Sequence, residues 1–284
     1  MILCKSILEL KNLLNSAHHN GKSIGLVPTM GALHEGHASL ITACHKENDL
    51  TVVSIFVNPT QFGPNEDYEK YPRNLTKDCQ TADTAGADII FSPKPKELYP
   101  SNDMTWVEVT GNIVKVLCGR TRPIHFRGVA TIITKLFHII NPDKAYFGQK
   151  DAQQVEVLKK MVKDLFFPVQ LRIMPIIRES DGLAKSSRNT YLTSEQRKAA
   201  VVLYKSLQYA KKLFTVGERR PQTLISAVTS MIAAEPLSHI DYVELYGLPG
   251  LVPVPTTITQ PVLLAVAVKF GETRLIDNII LEAE

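Results

Sequence analysis

The chain has 284 residues, 44% apolar and 21% charged, enough to bury a real core in one large domain or two ordinary ones. A formal net charge of +4 with both signs interspersed, and aromatics at only 7%, argue against a nucleic-acid-binding face and suit small anionic substrates. Cys4, Cys44, Cys79 and Cys118 lie far apart with no CxxC pair, and neither a leader pattern nor a spanning apolar run is visible, so the expectation is a cytoplasmic, non-membrane protein with reduced thiols.

In chain order, residues 6–20 carry Ile7, Leu10, Leu13 and Leu14 at helical spacing and stop at Gly21. Residues 23–27 predict a strand, and the stretch that follows, VPTMGALHEGHASL over 27–40, opens a helix after Pro28 and Gly31. A helix start after a strand offers unpaired N–H groups and the positive end of the helix dipole, a ready phosphate site. His34 and His37, three apart, are predicted on one helix face. A zinc HExxH site needs histidines four apart, which the spacing denies. Surface or helix-capping histidines are the plain alternative.

Residues 50–57 (LTVVSIFV) read as a strand buried on both faces, ending at the polar Asn58, Thr60 and Gln61. A helix over 75–85 and a buried strand over 87–92 follow. A short strand is predicted at 105–109, a short helix at 113–117, and a basic loop at 120–127 suited to a carboxylate. Then come a helix over 128–140, a strand over 145–147, a helix over 151–165 and a strand over 169–177. This alternation predicts an α/β fold, a Rossmann-like doubly wound parallel sheet, with ligands past the carboxyl ends of its strands. Four polar clusters, 30–37, 58–61, 148–154 and 179–188, fall at those ends. The pattern then shifts. One long helix at 193–213, capped by Thr193, and another at 222–234 precede strands at 240–245, 262–268 and 273–280, the last two a hairpin through Gly271. Hence two domains are expected, a sheet domain over 1–176 and a smaller C-terminal α+β lid domain over 177–284.

Taken singly, the polar positions decide little. Lys150 can neutralise phosphate, and Asp151 can cap a helix or hold magnesium. Asn58 and Gln61 can orient a hydroxy acid by hydrogen bonds. Together, PTMGALHEGH, FVNPTQF, CGRTRPIHFRGV, FGQKDAQQ and DGLAKSSRN, in this order over residues 27–197, closely resemble the pantothenate synthetase (pantoate–β-alanine ligase) family. That family sits in the HIGH-motif nucleotidyltransferase superfamily. His34, Glu35, Gly36 and His37 look like the HIGH motif, and Lys185 to Arg188 resemble a KMSKS-type loop.

The resemblance implies a Mg2+-assisted, ATP-dependent ligation of pantoate and β-alanine through a pantoyl adenylate, in a cytosolic homodimer. The implied ATP contacts are Met30, Gly31, Ala32, Leu33, His34, Glu35, Gly36, His37, Gly148, Gln149, Lys150, Asp151, Ile177, Lys185, Ser186, Ser187 and Arg188. Pantoate would meet Gln61 and Gln154, and β-alanine Gln61. His37, His34, Lys150 and Arg188 would carry catalysis, with His37 as proton donor, and Asp151 is the metal-binding candidate. Two positions depart from the family pattern: Lys185, where an apolar residue is usual, and Gln149, where glutamate is common. Rival readings are a nucleotidyltransferase whose product keeps the nucleotide, and an RNA-binding relative of tRNA synthetases.

Overall fold

Strands β2 (Ile24–Thr29) and β3 (Leu50–Ile55) are mostly apolar and buried, and in the computed structural model they lie at the centre of a parallel sheet. The structure describes residues 1–64, 66–101 and 103–282. They divide into two compact units. The first comprises Met1–Thr110, Thr121–Gln149 and Val157–Pro175; the second takes Gly111–Arg120, Lys150–Glu156 and the chain from Ile176 onward.

The first unit begins with β1 (Ile2–Cys4) and α1 (Ile7–His19), whose start is capped by the Ser6 hydroxyl accepting from Glu9 N–H. After β2 come α2 (Glu35–Glu47), β3, α3 (Leu75–Thr84), β4 (Ile89–Phe91) and a single turn, α4 (Pro95–Leu98). A second short helix, α5 (Cys118–Thr121), precedes α6 (His125–Ile140), and β5 (Lys144–Gly148), α7 (Ala152–Asp164) and β6 (Gln170–Met174) complete the sheet. All six strands pair in parallel in the order β1-β4-β3-β2-β5-β6. The chain builds outward from β2 through β3 to β4 on one side, and from β5 to β6 on the other. The order therefore reverses between β2 and β5, the position where open α/β sheets place their ligands.

The second unit holds α8 (Ser194–Ala199), α9 (Val202–Thr215), α10 (Pro221–Ala233) and the antiparallel strands β7 (Ser238–Gly247), β8 (Val262–Phe270) and β9 (Thr273–Leu281). Helices α9 and α10 pack on each other, α9 also on β9 and α10 on β7. Leu203, Leu207, Leu224, Val228, Leu264, Val266 and Phe270 form the core between them. The predicted β8–β9 hairpin is present, closing through Gly271 with Phe270 opposite Thr273.

Local structure departs from the sequence pattern in four places. Residues 105–109 form no strand, because Val107 exchanges its N–H and C=O with the Thr131 hydroxyl instead of a neighbouring strand. The helix expected at 113–117 shrinks to one 3-10 turn over Asn112–Val114, since the Gln153 amide takes the carbonyls of Ile113 and Val116. Most of the basic stretch 120–127 is helical rather than loop, α5 ending at Thr121 and α6 starting at His125. The long helix at 193–213 is two helices with a turn at Ala200 and Val201, a break that no proline or glycine marks.

Candidate active site

The loop after β2 leads from the strand into the start of α2. Its amides already have acceptors inside the protein. Gly31 N–H donates to the Thr29 hydroxyl at 3.2 Å, and that hydroxyl donates to the Ser54 carbonyl. Ala32 and Leu33 N–H both donate to one carboxylate, Asp78 on α3, at 3.1 and 2.7 Å. Asp78 is 3% exposed, so its charge is held by backbone dipoles rather than by water. Gly31 has φ +82°, and a Cβ there would lie 2.9 Å from the Asp78 oxygen, so both conformation and space require glycine.

His34 is not on the helix face. It is the N-cap of α2, with φ −135° and ψ 178°, and its Nδ1 accepts from Gly36 N–H at 3.1 Å. His37, at the third helical position, returns the bond: its Nδ1 accepts from His34 N–H at 3.3 Å. This is a capping box built from two imidazoles. The rings still lie together, their centroids 4.1 Å apart. The cap posed on sequence as the plain alternative is present.

The second polar cluster of this unit follows β3. Gln61, 8% exposed, accepts from Asn58 Nδ2 through Oε1 at 3.1 Å and donates from Nε2 to Met30 Sδ at 2.8 Å. Asn58 is oriented in turn: its Oδ1 accepts from the Tyr99 and Thr60 hydroxyls at 2.8 and 2.9 Å, and its Nδ2 also donates to Gly128 C=O. Burial pushes the Tyr99 phenol up, which keeps it a donor. Arg122 and His125 both donate to the Gln61 carbonyl. The basic stretch is thus engaged within the protein: Arg122 also forks onto Glu66, Arg120 pairs with Glu244, and Arg127 stacks 4.4 Å over Trp106. At the end of β5, no described atom lies within 4 Å of a Cβ built on Gly148, so a ligand can approach the backbone there. Met30 to His37, Gln61, Gly148 and Gln149 all belong to the first unit.

Lys150, Asp151, Gln154, Ile177 and Lys185 to Arg188 belong to the second. The Lys150 carbonyl accepts from Asn278 Nδ2 at 2.9 Å, and Asp151 is exposed. Residues 177–185 form a tight loop closed by Lys185 N–H to Ile177 C=O and Glu179 N–H to Leu183 C=O. Its turn residue Gly182 has φ +96° and packs so closely on Tyr204 that a Cβ would meet the ring at 2.0 Å. Arg178 fastens the loop to β9: it forks onto Asp277 at 2.6 and 3.0 Å, donates to Gly182 C=O and stacks 4.8 Å over Tyr204. Asp181 pairs with Arg197, and the unusual Lys185 forms an ion pair with Glu179 at 2.9 Å. Ser186 then caps the 3-10 turn Ser187–Tyr191 through Arg188 N–H. Lys150, Ala184, Ser186, Asn189 and Asp277 line a small recess in this unit.

Fold and site together define a class: an α/β protein of the nucleotide-handling kind, with paired imidazoles at a helix start after a central strand. The family model for pantoate-beta-alanine ligase matches residues 2–280, and the chain belongs to that family. It is 52% identical to the pantothenate synthetase of Pelotomaculum thermopropionicum, covering 99% of both chains, and 53% identical to that of Acetivibrio thermocellus, covering 99% of this chain and 100% of the other. Among solved structures it is similar to pantothenate synthetase from Thermus thermophilus, with TM-score 0.93, 40% identity and coverage of 98% and 99%. It is also similar to the pantoate-beta-alanine ligase of Francisella tularensis, solved with beta-gamma ATP and β-alanine, with TM-score 0.80, 35% identity and coverage of 99% and 97%.

Asp78, Tyr99 and the Arg178–Asp277 pair, which fix the polar groups described above, carry no local signal in the sequence. Asp78 stands 45 residues from Leu33 and Asp277 stands 99 from Arg178, so no local spacing announces either partnership.

Proposed function

We propose that the protein joins pantoate to β-alanine in an ATP-driven, two-step ligation. A pantoate carboxylate oxygen attacks the α-phosphorus of ATP, and pyrophosphate leaves from the opposite side. The β-alanine amine then attacks the acyl carbon of the pantoyl adenylate, AMP leaves, and the amine gives up a proton. The observation that carries this reading is the imidazole pair at the start of α2, beside the sheet's reversal point, in a chain of this family.

In-line transfer at phosphorus needs positioning and charge neutralisation rather than a covalent partner. Met30 to His37, Gly148 to Asp151, Ile177 and Lys185 to Arg188 hold ATP. His34 and His37 donate hydrogen bonds to it, and Lys150 and Arg188 supply positive charge. Gln61 and Gln154 position pantoate, with Gln61 also serving β-alanine. The amide network around Asn58 supports this role, because it fixes which end of Gln61 accepts and which donates. Lys185 acts through its backbone, its ammonium being spent on Glu179.

Among the described residues no three His, Cys, Asp or Glu side chains converge as a protein metal cage would require. One exposed carboxylate, Asp151, fits magnesium arriving on the triphosphate, since magnesium keeps most of its waters and takes few protein ligands. When bound, the ion neutralises phosphate charge. The protein is read as a cytosolic homodimer, with residues 177–284 as the lid domain; its four free cysteines, and the lack of a membrane-spanning helix among the described residues, accord with the compartment.

The test is AMP release with each substrate omitted in turn. AMP that forms only when ATP, pantoate and β-alanine are all present supports the reading. A product that retains the nucleotide, or no ATP binding, overturns it. His37→Ala is expected to slow pantoate-dependent pyrophosphate release by about 10²–10³ without unfolding the protein.

A further inference from the structure

Resting on the reading of His34 and His37 as ATP contacts, we propose that both imidazoles work as neutral rings in the Nε2–H form, locked there by the cap they make for α2. Each Nδ1 accepts from a backbone amide, His34 from Gly36 N–H and His37 from His34 N–H. A peptide N–H only donates, so neither Nδ1 carries a proton. A neutral ring whose Nδ1 accepts holds its hydrogen on Nε2. Each histidine thereby presents one donor of fixed identity, and the backbone rather than the ligand sets it.

Protonating either Nδ1 would set two N–H groups against each other at hydrogen-bond distance and break half of the cap. Two imidazolium rings with centroids 4.1 Å apart would also repel. The pair therefore gives the triphosphate two directed donors without net charge, and the cationic work falls to Lys150 and Arg188. Chemistry follows from this. A neutral imidazole that surrendered its Nε2 proton would become an imidazolate, so His37 stabilises charge on phosphate oxygens by hydrogen bonding and does not transfer a proton to them. That departs from the proton-donor role implied by resemblance. The N–H groups of Gly31, Ala32 and Leu33, engaged by Thr29 and Asp78, are not turned to an anion in this arrangement.

The direct test is long-range 1H–15N correlation of histidine-labelled protein without ATP at neutral pH, the two rings being assigned from His34→Asn and His37→Gln. Both are expected in the Nε2–H pattern; a doubly protonated ring or an Nδ1–H form at either position overturns the inference. A second measurement separates the two ends of one ring. His34→Asn keeps an N-cap acceptor and loses Nε2, so its Tm stays at the parent value while ATP affinity falls about tenfold. His34→Ala loses both and drops in Tm by about 2–4 °C. Equal Tm losses in the two variants would count against the cap. At position 37, glutamine keeps an acceptor and a neutral N–H donor, so pyrophosphate release should exceed that of His37→Lys by about tenfold. A lysine variant that outperforms glutamine would show that charge matters, and would sink the proposal. If the parent protein binds no ATP while both rings show the Nε2–H pattern, the functional reading fails and the tautomer assignment stands.

Discussion

The loop after β2 and the loop over 177–191 are held by opposite physical means. The loop after β2 is held by neutral donors meeting fixed acceptors: five backbone amides, from Gly31 to His34 and at Gly36, end on Thr29, Asp78, His37 and His34. The loop over 177–191 is held largely by charge, through Arg178 with Asp277, Lys185 with Glu179 and Arg197 with Asp181. A backbone amide has one direction and no alternative form, so the first loop has a single arrangement. A partly exposed ion pair is worth little and can exchange partners, so the second loop is held less firmly. The exception in the second loop is its anchor, because Asp277 has only 1% of its side chain exposed.

That exception gives the largest expected effect. Arg178→Met removes the two guanidinium bonds from the buried Asp277 carboxylate and leaves it the Asn278 amide, and loss of one partner of a buried pair costs about 3–5 kcal/mol. The loss should appear as a lower urea midpoint, together with faster proteolytic cleavage within residues 177–191. An Arg178→Met protein of parental stability would place the anchor elsewhere, with the apolar contacts of Leu183.

Next comes Asp78→Asn, the matching change in the first loop. Asparagine can accept from Ala32 or Leu33 N–H but must turn an NH2 group toward the other, losing one charge-assisted bond and stranding a buried donor, a cost of about 2–3 kcal/mol. Because the two amides precede His34 directly, ATP affinity should fall with stability, while the KM for β-alanine changes less. If ATP binding survives intact, the imidazole pair stands independently of Asp78, and the comparison loses half its force.

How far each loop was legible in the sequence follows from the same contrast. Both motifs were visible as motifs, since HEGH after a strand and KSSRN after DG are local patterns. The central strands were visible too, because β2 and β3 are buried on both faces and read as mostly apolar runs. The strongest braces were hidden, because Asp78 and Asp277 reach these loops from far along the chain and look ordinary where they stand. Asp78 reads as a polar helix residue in LTKDCQ, and Asp277 as an interruption in a strand. The same blindness misread TWVEV as a strand, since its alternation was right but its hydrogen-bonding partner is the side chain of Thr131. It also left β1 unseen, three residues whose pairing with β4 supplies the signal that their sequence lacks.

The smallest effect concerns the outermost brace. Arg197, by donating two hydrogen bonds to it, holds the Asp181 carboxyl below the usual carboxylate range. A carboxyl depressed in the folded state stabilises the protein above its unfolded value of about 4, and the gain drains away as pH falls through the lower folded value. The stability difference between parent and Asp181→Asn should therefore be flat from pH 7 to 5 and close below about pH 4. Its plateau should stay below about 1 kcal/mol, because the Asp181 side chain is 42% exposed and solvent screens the pair. A difference that grows on acidification would mean that the carboxylate destabilises the loop, and the contrast between fixed amides and exchangeable charges would fail at its plainest point. A brace this weak is smaller than the free energy a nucleotide brings on binding, even at millimolar affinity, about 4 kcal/mol, so binding can displace it. The two amides on Asp78 offer no such exchange, so the chain itself sets the approach to α2, while the second loop keeps the freedom to rearrange.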